Sequence, residues 1–137
     1  LLGETARRAW PNLSHVERNI TLRRAVLERG LFGEPFLMMD DDYRPLRPIA
    51  EAAFIQSGRQ RGYYSHDLAR WRERSTDYDL AQRATLSALQ TWGMPTLGYG
   101  AHMPQVIDPE IWHEAFSRWD ALGAGNRVDE WSLVHNV

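Results

Sequence analysis

The chain contains no cysteine, which excludes disulfides and thiolate metal sites. It has no apolar run long enough for a membrane span or a signal-peptide core. An excess of one charge is also missing. Sixteen basic and 18 acidic side chains leave a net charge of −2, too small to draw the whole molecule to nucleic acid or an anionic membrane. No internal repeat or low-complexity tract breaks the chain. What remains is 43% hydrophobic and 25% charged, a composition that points to a soluble domain. The expectation is a single domain over residues 1–137, large enough for a core. Six tryptophans imply either a dense core or aromatic surfaces in a cleft.

The most informative stretch is Glu34-Pro35-Phe36-Leu37-Met38-Met39-Asp40-Asp41-Asp42-Tyr43. Its apolar run reads as a short buried strand closed by three consecutive carboxylates. Adjacent anions repel, and burying them requires a compensating cation. A divalent ion with a taste for hard oxygen ligands, Mg²⁺ or Mn²⁺, meets that requirement. Side chains alternate along an extended strand, so Asp40 and Asp42 share a face and Asp41 points the other way. In open α/β sheets, ligands gather at the carboxyl ends of strands, where these aspartates fall. A solvated turn or cap after a strand is the plainer reading.

Elsewhere, helices and strands alternate, which predicts an α/β fold. A helical turn is expected over 5–10, then a loop and short strand over 12–16. Asn19 or Thr21 is expected to cap a helix that buries Leu22, Ala25 and Val26 and stops at Gly30. Pro45 and Pro48 force an irregular passage, with a short helix over 49–55 and a strand over 61–65. Asp77 is expected to cap a second helix facing inward with Leu80, Ala81, Ala84, Ala88 and Trp92. A strand follows over 96–99. Asp108-Pro109-Glu110 is a strong helix start, with a capping acid, proline at the first position and an acid near the positive dipole end. That helix should bury Ile111, Trp112, Ala115, Phe116, Trp119 and Leu122, a spacing that assigns both tryptophans to the core. Residues 131–134 read as an edge strand. Arg59, Arg61, Arg70, Arg72 and Arg74, interleaved with Tyr63, Tyr64 and Trp71, read as a solvated face diluted by acids, in preference to a site for single-stranded nucleic acid.

A second chemical stretch is Tyr99-Gly100-Ala101-His102-Met103-Pro104. Gly98 and Gly100 let backbone approach a neighbour closely, and Pro104 stiffens the exit. His102 thus sits on a constrained loop before a helix, where sites are built. It is a candidate metal ligand or general base. His15, His66, His113 and His135 show no zinc spacing and are read as ordinary surface or core residues.

Together the two stretches resemble the Stealth family of sugar-phosphate transferases, which includes bacterial capsule polymerases. Residues 20–49 resemble its second conserved region, where an apolar strand ends in Asn-Asp-Asp; here Asp40 stands at the Asn, and Asp41 and Asp42 match the aspartates. The family's aromatic pair is replaced by Arg44-Pro45. His102-Met103-Pro104 matches its His-x-Pro element, and Arg127 with Val134-His135-Asn136 echoes its closing element.

The resemblance implies a GT-A-like open mixed sheet flanked by helices. It also implies a first strand and helix ahead of Leu1. It implies a transferase that moves a sugar or sugar-1-phosphate from a nucleotide sugar to a carbohydrate or protein acceptor. Asp40 and Asp42 would hold the metal on the donor diphosphate, Asp41 would contact the donor, and Arg127 would neutralise a phosphate oxygen. A cytoplasmic location in a bacterial or phage-infected cell goes with it, as does a homodimer formed through an exposed sheet edge. Two other classes stay open: a metal-dependent phosphoester hydrolase using the same aspartates, and a non-catalytic module that binds a glycan or partner.

Overall fold

Hydrogen-bonded caps decide where the helices begin. In the computed structural model, which describes residues 2–40, 44–100 and 102–137, α1 (Glu4–Ala9) leads through a tight turn into α2 (His15–Leu27). Ser14 caps α2: its hydroxyl accepts the Glu17 N–H at 3.3 Å, and the Glu17 carboxylate accepts the Ser14 N–H at 2.9 Å. This reciprocal box satisfies two otherwise orphaned donors. The helix therefore starts inside the segment 12–16 expected to be loop and strand, ahead of the expected caps Asn19 and Thr21. Its buried residues are Ile20 and Leu27, while Leu22 is exposed. Thr76, not Asp77, caps α3 (Asp77–Thr91), again through a box with Asp79. Asp108 caps α4 (Pro109–Ala121) by accepting the Glu110 N–H at 2.9 Å, as its sequence predicts.

Residues 131–134 are not an edge strand. They lie in α5 (Glu130–Asn136), which Asp129 caps by accepting both the N–H and the hydroxyl of Ser132. Trp131, Leu133 and Val134 are all buried, and so are the polar Glu130, Ser132 and Asn136, so this short helix is enclosed around most of its girth. A short run such as Trp-Ser-Leu-Val, with three apolar residues in four, looks the same in a buried helix and a buried strand, which is why periodicity misreads it.

The strands are β1 (Phe36–Met38), the hairpin pair β2 (Ile55–Gln56) and β3 (Arg59–Gln60), β4 (Tyr64–Asp67), β5 (Leu97–Tyr99) and β6 (Gln105–Ile107). Helices and strands are mixed, as expected of α/β. Among the described residues, however, the strands form three separate two-stranded antiparallel ladders, β1–β6, β2–β3 and β4–β5. No described strand pairs with the other edge of β1, where Leu37 is exposed. Likewise, no described helix is long and apolar enough to cross a membrane.

The core gathers on α4 and α5. Trp112 and Trp119 are buried, with Trp112 stacked on Phe116 at 4.7 Å, so both tryptophans belong to the core. Ile20 and Leu27 from α2, Ile107 from β6 and Trp131 from α5 complete it. Ile111, Leu122 and Leu80, expected to face inward, are exposed at the margins of their helices. The apolar stripe is narrower than the sequence spacing implies. Arg59, Arg61, Arg70, Arg72 and Arg74 are all exposed.

The ladder β4–β5 depends on a close approach. A Cβ added to Gly98 would lie 2.7 Å from the His66 ring, whereas one at Gly100 would meet nothing within 4 Å. Gly98→Ala is therefore expected to lower the unfolding free energy by about 1–3 kcal/mol. Gly100→Ala should stay within about 0.5 kcal/mol. Urea titrations of both variants check this, and equal losses would show that the His66 contact is not the cause.

Candidate functional site

The β1–β6 register explains why two distant segments meet. Met38, the last residue of β1, pairs with Gln105, the first of β6. Because the strands are antiparallel, the chain leaving β1 and the chain entering β6 emerge at the same end. Asp40 follows the first and His102 precedes the second. His102 Nδ1 stands 4.0 Å from Asp40 Oδ2. An antiparallel pair, not parallel strands presenting their carboxyl ends on one rim, brings the two stretches together.

Asp40 and His102 line a cleft of about 260 Å³ that is closed by α2, α3 and the start of α5. From α2 come His15, Asn19 and Arg23; from α3 comes Tyr78; and Asp129, Glu130 and Trp131 form the far wall. Arg23 is the centre of the arrangement. One of its terminal nitrogens donates to Asp40 Oδ1 at 3.2 Å, and the other pairs with Glu130. Its guanidinium also lies over the Trp131 ring, 5.4 Å from the centroid. Burial lowers the Arg23 pKa, and Asp40 opposes that shift.

Arg23 and Glu130 are what the sequence reading missed. A signal for Arg23 was present: it lies between Ile20 and Leu27 on the buried stripe of α2, where a solvated cation has no place. Glu130 was hidden by the expectation of a strand.

Of the expected site residues, Asp41 and Asp42 lie outside the described residues. Arg127 is half-exposed in the connection before α5, with Nη2 3.7 Å from Asp77 Oδ1, and is not among the side chains lining the cleft. Among the described residues, no group of three or more His, Asp or Glu side chains gathers as a metal site. The described donors for a divalent ion are thus one carboxylate oxygen and one imidazole nitrogen. Standing 4.0 Å apart, Asp40 and His102 would be two of the residues to hold such an ion. Mg²⁺ characteristically takes only one or two protein carboxylates and draws its other oxygens from phosphate and water.

No family model, curated protein or solved structure significantly matches the chain.

Burial perturbs two acid–base groups at and beside α5, of which Asp129 lines the cleft. Asp129 is raised to about 6 by burial, against the lowering effect of the Ser132 hydrogen bonds. Its charge in turn helps burial to raise the Tyr78 pKa. His135, whose ring packs at a tilt against Tyr99, is lowered by burial to about 4, and its Nε2 has no hydrogen-bond partner among the described residues.

These shifts have opposite consequences for stability. Between its ordinary 3.8 and about 6, Asp129 holds a proton in the folded protein more than in the unfolded chain, so it costs stability as pH rises through that window. Between about 4 and 6.5, His135 holds a proton less in the folded protein, so it adds stability as pH rises. Each effect is on the order of 3 kcal/mol, and the two oppose each other between pH 4 and 6. Asp129→Asn, which preserves a capping oxygen, should expose the His135 limb: stability that climbs steeply from pH 4 to 6.5. His135→Gln should show the reverse slope. Urea midpoints across this range test both; parallel profiles for wild type and the two variants would show that these groups do not titrate as described.

Proposed function

We propose that the cleft is the active site of a metal-dependent transferase that moves a sugar or sugar-1-phosphate from a nucleotide sugar to an acceptor hydroxyl. The observation that carries this reading is the meeting of the strand-end Asp40 with His102, two motif residues from stretches about 60 positions apart that share a cleft and stand 4.0 Å apart. The likeness of both stretches to the Stealth family supports the same reading. It brings with it a GT-A-like arrangement in which β1 and β6 belong to a larger sheet.

In this reading Asp40, with Asp42 two positions on, and His102 hold a Mg²⁺ or Mn²⁺ ion. When bound, such an ion neutralises charge building on the departing phosphate and orients the donor diphosphate. The chain's own residues supply the rest. Asp40 is held in place by Arg23. His102, if not engaged by the ion, accepts the proton that the acceptor hydroxyl loses as its oxygen bonds to the donor. Attack at the anomeric carbon breaks the sugar–oxygen bond and releases a nucleoside diphosphate. Attack at the sugar-bearing phosphorus breaks the P–O–P bridge and releases a nucleoside monophosphate. Tyr78 and Asn19, which also line the cleft, offer hydrogen bonds to acceptor hydroxyls.

Calorimetry with Mn²⁺, followed by turnover of a panel of nucleoside-diphosphate sugars with and without acceptor, tests the proposal. Wild type is expected to bind Mn²⁺ and release nucleotide only when metal and acceptor are both present. His102→Ala should lower turnover by about 10²–10⁴-fold without lowering the melting temperature. Release that needs no acceptor would identify a hydrolase. Absence of both metal and nucleotide binding would overturn the transferase and the hydrolase together.

A further inference from the structure

A compensating cation for Asp40 is already present in the fold. Arg23 projects from the buried face of α2 and holds Asp40 at 3.2 Å with one nitrogen, Glu130 with another. Its side chain and that of Asp40 are only about a quarter exposed, and Glu130 is nearly closed off from water. Two charged partners thus share one guanidinium, and each receives part of its neutralisation.

The second oxygen of Asp40 faces His102 at 4.0 Å. A divalent ion bound there would draw on the same carboxylate charge that Arg23 holds. We propose that Arg23 competes internally with the divalent ion for Asp40, and that ion binding shifts the guanidinium's pairing from Asp40 onto Glu130. The inference rests on the reading of the cleft as a divalent-ion site. It adds that the ion's affinity is set by how the guanidinium divides itself between two acids.

Glu130 is suited to receive the displaced charge. It is nine-tenths or more buried at the first position of α5 and already pairs with Arg23, so strengthening that pair requires no new partner. Trp131, beneath the guanidinium, leaves it a face on which to slide while remaining covered. Asp129, though adjacent, is taken by Ser132, whose hydroxyl donates to it at 2.6 Å.

The test measures Mn²⁺ binding alone by calorimetry in wild type, Arg23→Gln, Arg18→Gln and Glu130→Gln. Arg18 lies on the same helix and bonds the Trp10 and Pro11 carbonyls, so it controls for loss of a positive charge in general. Arg23→Gln is expected to tighten Mn²⁺ binding on the order of tenfold, well beyond Arg18→Gln. Glu130→Gln, which leaves Arg23 wholly to Asp40, should weaken it. In wild type, the guanidinium ¹⁵N resonances of Arg23 should move during a Mg²⁺ titration with the midpoint of ion binding, a readout that survives even if Arg23→Gln fails to fold.

Equal tightening in Arg18→Gln and Arg23→Gln would overturn the inference, as would unmoved Arg23 resonances while Mg²⁺ binds. If wild type binds Mn²⁺ and Arg23→Gln binds it no better, the inference falls and the metal-dependent reading stands. Binding in Arg23→Gln but not in wild type would uphold the competition and remove the metal-dependent reading. Binding in neither would overturn both.

Discussion

A carboxylate removed from water must be met by a counter-charge, by hydrogen bonds or by a proton. The start of α5 places two acids side by side in the interior, and each is stabilised differently. Asp129 takes the Ser132 hydroxyl and N–H and a pKa raised to about 6. Glu130 takes Arg23. The positive end of a helix favours both, but only weakly. Arg23 is therefore the tie between the N-terminal helix α2, the segment after β1 and the C-terminal helix α5. Removing one partner of such a buried pair costs about 3–5 kcal/mol because it strands the other charge. The packing of the core and the electrostatics of the cleft rest on the same guanidinium.

The helix α5 does a second job that depends on this tie. Its Asn136 side chain accepts the Leu97 N–H at 3.1 Å and donates to the Leu97 carbonyl at 2.7 Å, while Ser132 accepts the Tyr99 N–H at 2.9 Å. Ser132 and Asn136 are four positions apart, so they share a helix face. They occupy the free edge of β5 much as a neighbouring strand would, which satisfies backbone groups that a sheet edge leaves exposed. That explains how a helix of seven residues can be almost wholly buried. It also couples the ladder β4–β5, with its close packing of His66 on Gly98, to the wall of the cleft.

These couplings account for what the sequence made legible. The start of α4 could be read because Asp108, Pro109 and Glu110 act locally, through a cap, a fixed φ and a dipole. The start of α2 was equally readable, since Ser14 and Glu17 form the capping-box signature, and the reading passed over it. Although the strand before Asp40 is not buried as expected, with Leu37 and Met39 exposed, that strand and the core tryptophans of α4 were visible from composition and spacing. The nature of α5 was not, because its helicity is settled by what it packs against: Asn136 and Ser132 find their partners on β5, more than 30 positions away. For the site, motif chemistry identified Asp40 and His102, and the structure brings them to 4.0 Å. Local reading assigned the balancing charge to a metal; beside Asp40 the structure also places Arg23, a cation 17 residues upstream.

That cation is an arginine, as is every one of the 16 basic residues in the chain. At position 23 the difference from lysine has physical content. An ammonium is a point charge that would settle against one carboxylate and leave the other buried without a partner. The planar fork presents separate nitrogens to Asp40 and Glu130 at once, and its flat face rests on Trp131. Sharing a single positive charge between two acids leaves the pair with a net negative charge. The buried charges are therefore balanced only in part. This residual charge sits at the end of β1, beside His102, where the antiparallel register has already brought the two motif stretches together. The interaction that stabilises the interior thus also sets how strongly Asp40 can engage anything that enters the cleft.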